Sequence, residues 1–180
     1  MGEINQPRPV LLVAAITSRY EAAIDWAISQ FVDRWGDLAF ESPLFDFTET
    51  SFYAKSMGAD LKKKLVAVKG LVNPEQLAAA KILTNHWEIE FEQSSEFPEE
   101  RPVNIDPGYV TEAKLVLATT KDRDHRIYLQ SGIYAEVTLH YQSGRWQKSR
   151  WTYPDYQRDD FQDFLTKCRD FLRKRLQKND

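Results

Sequence analysis

The stretch from residue 103 to residue 156 combines strand-like apolar alternation with ionisable side chains that a purely structural sheet does not need. Glu136 and His125 are the candidate acid and base, because carboxylates and imidazoles are the side chains that most often transfer protons in catalysis. Asp106 is a candidate second carboxylate or orienting group. Since a sheet can bury one face and carry such groups on the other, this stretch predicts a site built on a sheet.

Cationic side chains in the same stretch predict an anionic small-molecule ligand. Lys114, Lys121 and Arg126 are the candidate ligand-binding cations, since arginine offers a planar fork to phosphate or carboxylate and lysine offers a point charge. If the turn at Ser131-Gly132 is tight, Arg126 lies across the strand pair from Glu136, and the two side chains can meet. The alternative interpretation is a solvated sheet face whose cross-strand ion pairs are each worth about 0.2–1 kcal/mol.

Signatures of metal and cofactor sites are weak or missing in the sequence. Asp122, Asp124 and His125 are metal-binding residue types, but their spacing matches no metal motif, and a hydrophilic loop between two strands is the preferred interpretation. No phosphate-binding loop, dinucleotide-binding glycine motif or nucleophile elbow occurs. We therefore predict no metal site and assign no cofactor.

Hydrophobic periodicity predicts the elements that must position these residues. The predicted strands cover residues 10–16, 38–47, a part of 61–72 centred on 65–68, 114–121, 126–130, 133–141 and 145–150. The predicted helices cover 18–36, 73–91 and a segment with its apolar stripe at 161–172. The order strand–helix–strand–strand–helix, followed by a further strand, is the ferredoxin-like pattern βαββαβ, with its core at about residues 9–110. Residues 111–176 extend that core by antiparallel β-hairpins and add a C-terminal helix. We predict one α+β domain over 1–180, and the alternative is two lobes that divide near 94–102.

Caps and turns mark the predicted boundaries. Ser18 and Glu21 have the spacing of a capping box, and Asn73-Pro74 is a second helix start. Pro43 removes one ladder donor, so we expect its strand at a sheet edge or with a bulge. Pro107-Gly108 predicts a type II turn.

Strand parity on residues 133–141 predicts which side chains face the core, because successive residues of a strand point to opposite faces. The expected core set is Ile133, Ala135, Val137, Leu139 and Tyr141, and the expected polar set is Tyr134, Glu136, Thr138 and His140.

Composition argues against several partner classes. The formal net charge of −3 argues against binding to duplex nucleic acid, which rewards a basic surface. The longest apolar run is too short to span a bilayer, so we predict no membrane partner. The start of the chain has no secretory signal pattern, and together with the one cysteine, Cys168, predicted as a buried thiol, this favours a cytoplasmic protein.

Four short sequence motifs resemble those of a known family. They are VNIDPGY at 103–109, LATTKDRDHRIYL at 117–129, GIYAEVTL at 132–139 and WTYPDY at 151–156. On these motifs the chain resembles, over nearly its whole length, an uncharacterised bacterial family that forms a domain of unknown function. The resemblance implies no activity or cofactor, but its pattern adds Tyr128, Tyr153, Asp155 and Tyr156 to the candidate ligand-binding residues.

We predict that the sheet-borne site binds or processes a phosphorylated small molecule or nucleotide. The alternative is a non-catalytic protein-interaction module or a homodimer, in which the aromatic C-terminal motifs form the interface. A third hypothesis is binding to single-stranded nucleic acid through aromatics near Arg145, Lys148 and Arg150.

Overall fold

A computed structural model describes residues 2–49 and 53–178, and nine strands of this part of the chain form one antiparallel sheet. The strands are β1 Val10–Ser18, β2 Leu38–Glu41, β3 Phe45–Asp46, β4 Lys62–Val72, β5 Asn104–Val110, β6 Lys114–Thr119, β7 Ile127–Gln130, β8 Ile133–Gln142 and β9 Arg145–Lys148. The helices are α1 Glu21–Trp35, α2 Ala54–Met57, α3 Leu77–Ser94 and α4 Asp159–Leu176, with 3₁₀ turns at Pro74–Gln76 and Asp155–Gln157. Residues 50–52, within the predicted core, and 1 and 179–180 lie outside the described residues.

The mixed α+β class with an antiparallel sheet and a C-terminal helix is confirmed. The sheet order is β2-β4-β1-β5-β6-β8-β7, with β3 paired to β4 and β9 paired to β8. Within its first four strands, α1 connects β1 to β2 and α3 connects β4 to β5, which is the arrangement that a split βαβ pattern requires. Strands β6 to β9 extend the same sheet as antiparallel neighbours.

Helices cover both faces of the sheet. Leu12 and Ile16 of β1 pack with α1 and α3 on one face, whereas Leu11 and Val13 pack with α4 on the other. This is why β1 is a continuous apolar run, as expected of a central strand. Cys168 of α4 is buried, as predicted. None of the described helices is long and apolar enough to cross a membrane.

Three local predictions are wrong. Helix α1 starts at Glu21 without a side-chain cap, because Ser18 is still in β1 and its hydroxyl donates to the Pro102 carbonyl at 2.6 Å. The predicted strand 38–47 is divided into β2 and β3 around Pro43, although β2 does lie at the sheet edge. Pro107-Gly108 forms no turn, since both residues lie in β5.

The extended conformation of Pro107-Gly108 has two structural causes. At Pro107 the strand pairs with β1 only, because β6 pairs with β5 from Gly108 onward, so the missing N–H is tolerated. At Gly108 a Cβ atom would lie 2.5 Å from the Val116 carbonyl oxygen and 2.6 Å from Leu117 Cδ2. Glycine is therefore needed here for close packing between strands.

A β-bulge in β8 reverses the predicted alternation of faces. Leu115 pairs with Leu139 but Val116 pairs with Val137, so Thr138 is an extra residue in the ladder. As a result, Glu136 and Leu139 lie on the same face of the sheet. The prediction that Val137 faces the core is wrong, since it is 43% exposed, and Glu136 is buried with 2% exposure.

Candidate functional site

A cavity of about 410 Å³ opens at the end of the sheet where β4, β5 and β8 begin and β6 ends. Six cationic side chains line it: Lys63, Lys81, Arg101, Lys121, Arg123 and Arg126. Three carboxylates, Asp106, Glu136 and Asp155, and four aromatic rings, Phe47, Tyr53, Tyr153 and Tyr156, complete much of the wall. The cavity is therefore strongly polar, with more positive than negative groups.

Asp106 of β5 is held by two donors. It accepts hydrogen bonds from Lys81 Nζ at 3.0 Å and from Asn104 Nδ2 at 2.7 Å. Burial raises the pKa of Asp106, but the Lys81 charge and these two hydrogen bonds outweigh burial and lower it to about 2. The carboxylate is thus ionised at neutral pH and holds Lys81 in place.

Lys81 comes from α3 and its side chain is 5% exposed. Its ammonium also donates to the Ile105 carbonyl at 2.8 Å. An ammonium has three N–H groups, and two are used within the described part of the chain. Because Lys81 lines the cavity, the third can serve a ligand.

Lys63 of β4 and Asp155 form a second buried ion pair. Lys63 Nζ lies 2.5 Å from Asp155 Oδ2, and the two side chains are 8% and 4% exposed. The same ammonium lies 3.7 Å from the centroid of the Phe47 ring, within range of a cation–π contact. Asp155 also accepts from the backbone N–H of Tyr156 at 3.1 Å, so it links the cation to the segment before α4.

Glu136 of β8 anchors a third cation, Arg126. Glu136 Oε2 accepts from Arg126 Nε at 2.8 Å, which confirms the predicted Arg126–Glu136 contact. Arg126 also donates to the Lys121 carbonyl at 2.9 Å and to the Tyr153 hydroxyl at 2.7 Å. One guanidinium therefore joins the loop after β6, strand β8 and the segment after β9.

The remaining contacts of Glu136 leave its carboxylate enclosed. Its Oε1 accepts from the Thr138 hydroxyl at 3.0 Å, and its Oε2 lies 3.3 Å from His125 Nε2. His125 Nδ1 lies 3.1 Å from Asp124, and the imidazole stacks on Trp151 with 4.8 Å between centroids. The His125 ring is thus held behind Glu136 rather than in the cavity wall.

Three phenols face the cavity as neutral groups. Burial, followed by the charge of Asp106, raises the pKa of Tyr53 to about 12. Burial and the charge of Glu136 raise the pKa of Tyr153 to about 12. Burial and the charges of Asp155 and Asp106 raise the pKa of Tyr156 well above its ordinary value. All three hydroxyls therefore keep their protons at neutral pH.

A fourth ion pair joins Arg101 of the cavity wall to Glu88, which does not line the cavity. Glu88 of α3 accepts from Arg101 Nη2 at 2.6 Å and from the backbone N–H of Ile105 at 2.7 Å. Burial raises the pKa of Glu88, although Lys81 and Arg101 oppose this effect. The pair holds the start of β5 against α3, and so fixes the approach to Asp106.

Most of the ten predicted site residues lie in or next to the cavity wall, and two lie outside it. Seven of them line the cavity: Asp106, Lys121, Arg126, Glu136, Tyr153, Asp155 and Tyr156. His125 is adjacent through Glu136. Lys114 lies at the opposite end of β6, and Tyr128 is 57% exposed on β7, so neither is part of the cavity wall.

Sequence reasoning missed four of the six cations, Lys63, Lys81, Arg101 and Arg123, and the sequence held a signal for the first two. Lys63 belongs to a run of three lysines at 62–64, a pattern typical of a solvent-exposed surface. Its side chain, however, points to the same face of the strand as the buried Leu65 and Ala67. Lys81 occupies the position one turn after Leu77 on the apolar stripe of α3. In both cases the signal available in the sequence was a charged residue at a position where the hydrophobic pattern predicts a buried side chain.

Among the described residues, no cluster of three or more His, Cys, Asp or Glu side chains could hold a metal ion. The charged loop Asp122, Asp124 and His125 instead makes contacts within the protein, including an ion pair between Asp124 and Arg150 at 3.0 Å.

Fold and site together define an α+β protein with a cation-lined cavity at one end of an antiparallel sheet. The model of the family described as Domain of unknown function (DUF4416) matches residues 8–171, and the chain belongs to this family. The predicted resemblance to an uncharacterised family is confirmed. No curated protein and no solved structure matches the chain.

Proposed function

We propose that this protein binds a phosphorylated small molecule in the cavity between β4, β5, β6 and β8. A volume of about 410 Å³ falls in the range of small-molecule sites. The observation that supports the proposal is the wall itself, which carries six cations and three carboxylates in a chain whose net charge is −3. Such a local excess of positive charge favours an anion.

The contacts of the carboxylates indicate which groups would meet the ligand. Asp106, Glu136 and Asp155 are each bound to a cation, and each also accepts a second hydrogen bond. They are therefore engaged in orienting the cations. The ammonium and guanidinium groups in front of them, which have further N–H donors, would contact the phosphate.

The neutral phenols fit the same ligand. A protonated hydroxyl donates a hydrogen bond to a phosphate oxygen, whereas a phenolate would repel it. Tyr156 is 5% exposed and borders the cavity. Tyr156 is thus a candidate donor to the ligand.

The geometry supports binding more directly than catalysis. Glu136 is enclosed by Arg126, His125 and Thr138, which suits a group that positions Arg126. Catalytic roles for Glu136, His125 and Asp106 stay predictions, as do the single domain, the bacterial origin and the cytoplasmic location.

The test is isothermal titration with inorganic phosphate and with a sugar monophosphate. In the double variant Lys81→Gln/Asp106→Asn, which removes both charges and leaves no unpaired ion, we expect the affinity for the monophosphate to fall about tenfold or more. Lys114→Gln is the control for the loss of a cation elsewhere, because this cation is exposed and outside the cavity. No binding to the wild type, or an equal loss in the control, would refute the proposal.

We propose as a second candidate that the protein associates through β7. This strand ends the sheet, and its Ile127, Tyr128 and Leu129 are 71%, 57% and 40% exposed. Exposed apolar edge strands tend to pair with other chains. Light scattering over a range of concentrations should show a dimer that Ile127→Lys dissociates, and a strict monomer at every concentration would eliminate homodimer formation.

A further inference from the structure

We infer that the ligand carries two anionic groups, because the cavity contains two cationic centres that are anchored at different positions of the fold. The inference rests on the proposed function and names the class of its ligand. The inner centre consists of Lys63 and Lys81, and the outer centre consists of Lys121, Arg123 and Arg126.

The inner centre is built from buried cations on two separate elements. Lys63 belongs to β4 and Lys81 to α3, and their side chains are only 8% and 5% exposed. Both charges act on Asp106 of β5, since each lowers its pKa. Lys81 pairs with Asp106 and Lys63 pairs with Asp155, both ammonium groups line the same cavity, and each has an N–H that is not used by Asp106, Asp155 or Ile105.

The outer centre lies on the connection between β6 and β7. Arg126 is held by Glu136, by the Lys121 carbonyl and by the Tyr153 hydroxyl, so its guanidinium is fixed at this rim. Lys121 and Arg123 are exposed and line the same part of the cavity. Three cations here line the cavity, and one of them, Arg126, pairs with the lining carboxylate Glu136.

Sheet geometry separates the centres. Asp106 lies on β5 and Glu136 on β8, with β6 between them, so two strand spacings of about 4.8 Å place them roughly 10 Å apart. Their positions are also staggered, because Gly108 pairs with Leu117 and Leu117 pairs with Glu136, whereas Asp106 is two residues before Gly108. The two centres are therefore anchored at separate positions of the sheet, which suits two anionic groups rather than one.

The wall between the centres is uncharged. Strand β6 contributes Leu117, Ala118 and Thr119 there, and the neutral phenols Tyr153 and Tyr156 lie beside them. This region suits the uncharged body of a ligand whose ends carry the charges. A sugar or similar scaffold with a phosphate at each end has this distribution.

The experiment compares two ligands with one skeleton, fructose 6-phosphate and fructose 1,6-bisphosphate, by isothermal titration at a fixed ionic strength. The wild type should bind the bisphosphate about 10- to 100-fold more tightly, the range expected for added hydrogen bonds between charged groups. The double variant Lys121→Gln/Arg123→Gln should abolish that advantage. Lys174→Gln/Arg175→Gln, exposed on α4 and outside the cavity, is the charge-matched control and should retain it.

The outcomes distinguish the two proposals. Equal affinity for the two ligands, or an advantage that survives in Lys121→Gln/Arg123→Gln, overturns the two-centre inference and leaves phosphate binding intact. Absence of binding by either ligand overturns the proposed function and, with it, the inference that rests on it. Circular dichroism and thermal unfolding of each variant confirm that the fold is retained.

Discussion

The ion pair between Lys63 and Asp155 gives a quantitative test of the buried charges. We consider the replacement Lys63→Met, which keeps most of the side-chain volume and removes the charge. The two side chains are 8% and 4% exposed, and the ammonium lies 2.5 Å from the carboxylate. After the replacement, Asp155 would be a buried charge without its cation.

The expected magnitude follows from this burial. Removing one member of a buried ion pair costs about 3–5 kcal/mol of unfolding free energy, because the remaining charge is uncompensated. For a protein of this size, each kcal/mol corresponds to about 2–4 °C in Tm, so Tm should fall by roughly 6–20 °C. The loss of the contact between Lys63 and the Phe47 ring acts in the same direction.

The assay is urea denaturation of the ligand-free protein in a double-mutant cycle. Asp155→Asn retains an acceptor for the Tyr156 N–H, and the double variant Lys63→Met/Asp155→Asn has no unpaired charge. We expect the double variant to be more stable than the sum of the single effects by about 0.5–3 kcal/mol. Lys69→Met on the same strand is the control, since Lys69 and Asp37 are 59% and 81% exposed and 3.8 Å apart.

One result would refute this reasoning. If Lys63→Met lowers stability no more than Lys69→Met, which should lose about 0–1 kcal/mol, the Lys63 ammonium is solvated and the inner cationic centre is not a buried structure. Additive single effects would likewise show that Lys63 and Asp155 do not interact in solution.

Three further predictions concern other parts of the site and core. Because the pKa of folded Asp106 is about 2, below the ordinary value of about 3.9, its ionised form contributes stability that is present above about pH 4 and is lost as pH falls toward 2. The decline of Tm over that range should be shallower in Asp106→Asn, and an unchanged profile would contradict the pairing with Lys81. Gly108→Ala should lower the unfolding free energy by about 1–3 kcal/mol because its Cβ would meet Val116 and Leu117, whereas Gly70→Ala, whose nearest atom lies 3.9 Å away, should have little effect. A similar loss in both glycine variants would argue against close packing at Gly108. Finally, burial raises the pKa of the Cys168 thiol, so a thiol reagent should modify the unfolded chain but not the native protein, and rapid modification of native protein would show that α4 is open.

Local patterns were reliable for the elements and for one contact of the site. The apolar run in β1, the polar turn at Ser131-Gly132 and most of the strands and helices depend on neighbours in the chain. The Arg126–Glu136 contact could be predicted because a short hairpin limits which residues face each other.

Predictions failed where a distant segment decides the local structure. The alternation in β8 is correct up to Glu136 and reverses after the bulge at Thr138, whose carbonyl accepts from the Thr152 hydroxyl at 2.6 Å. Pro107-Gly108 has turn chemistry, yet pairing with β1 and packing against β6 keep it extended. No local pattern includes these partners.

The sequence by itself determined the α+β class, the positions of most strands and helices, and the concentration of ionisable groups between residues 103 and 156. Those properties follow from periodicity and turn chemistry over a few residues. Only the tertiary structure decided that Lys63 and Lys81 join Asp106, Arg126, Glu136 and Asp155 around one cavity. The physical reason is that these residues come from β4, α3, β5, β8 and two connections, and long-range strand pairing and helix packing bring them together.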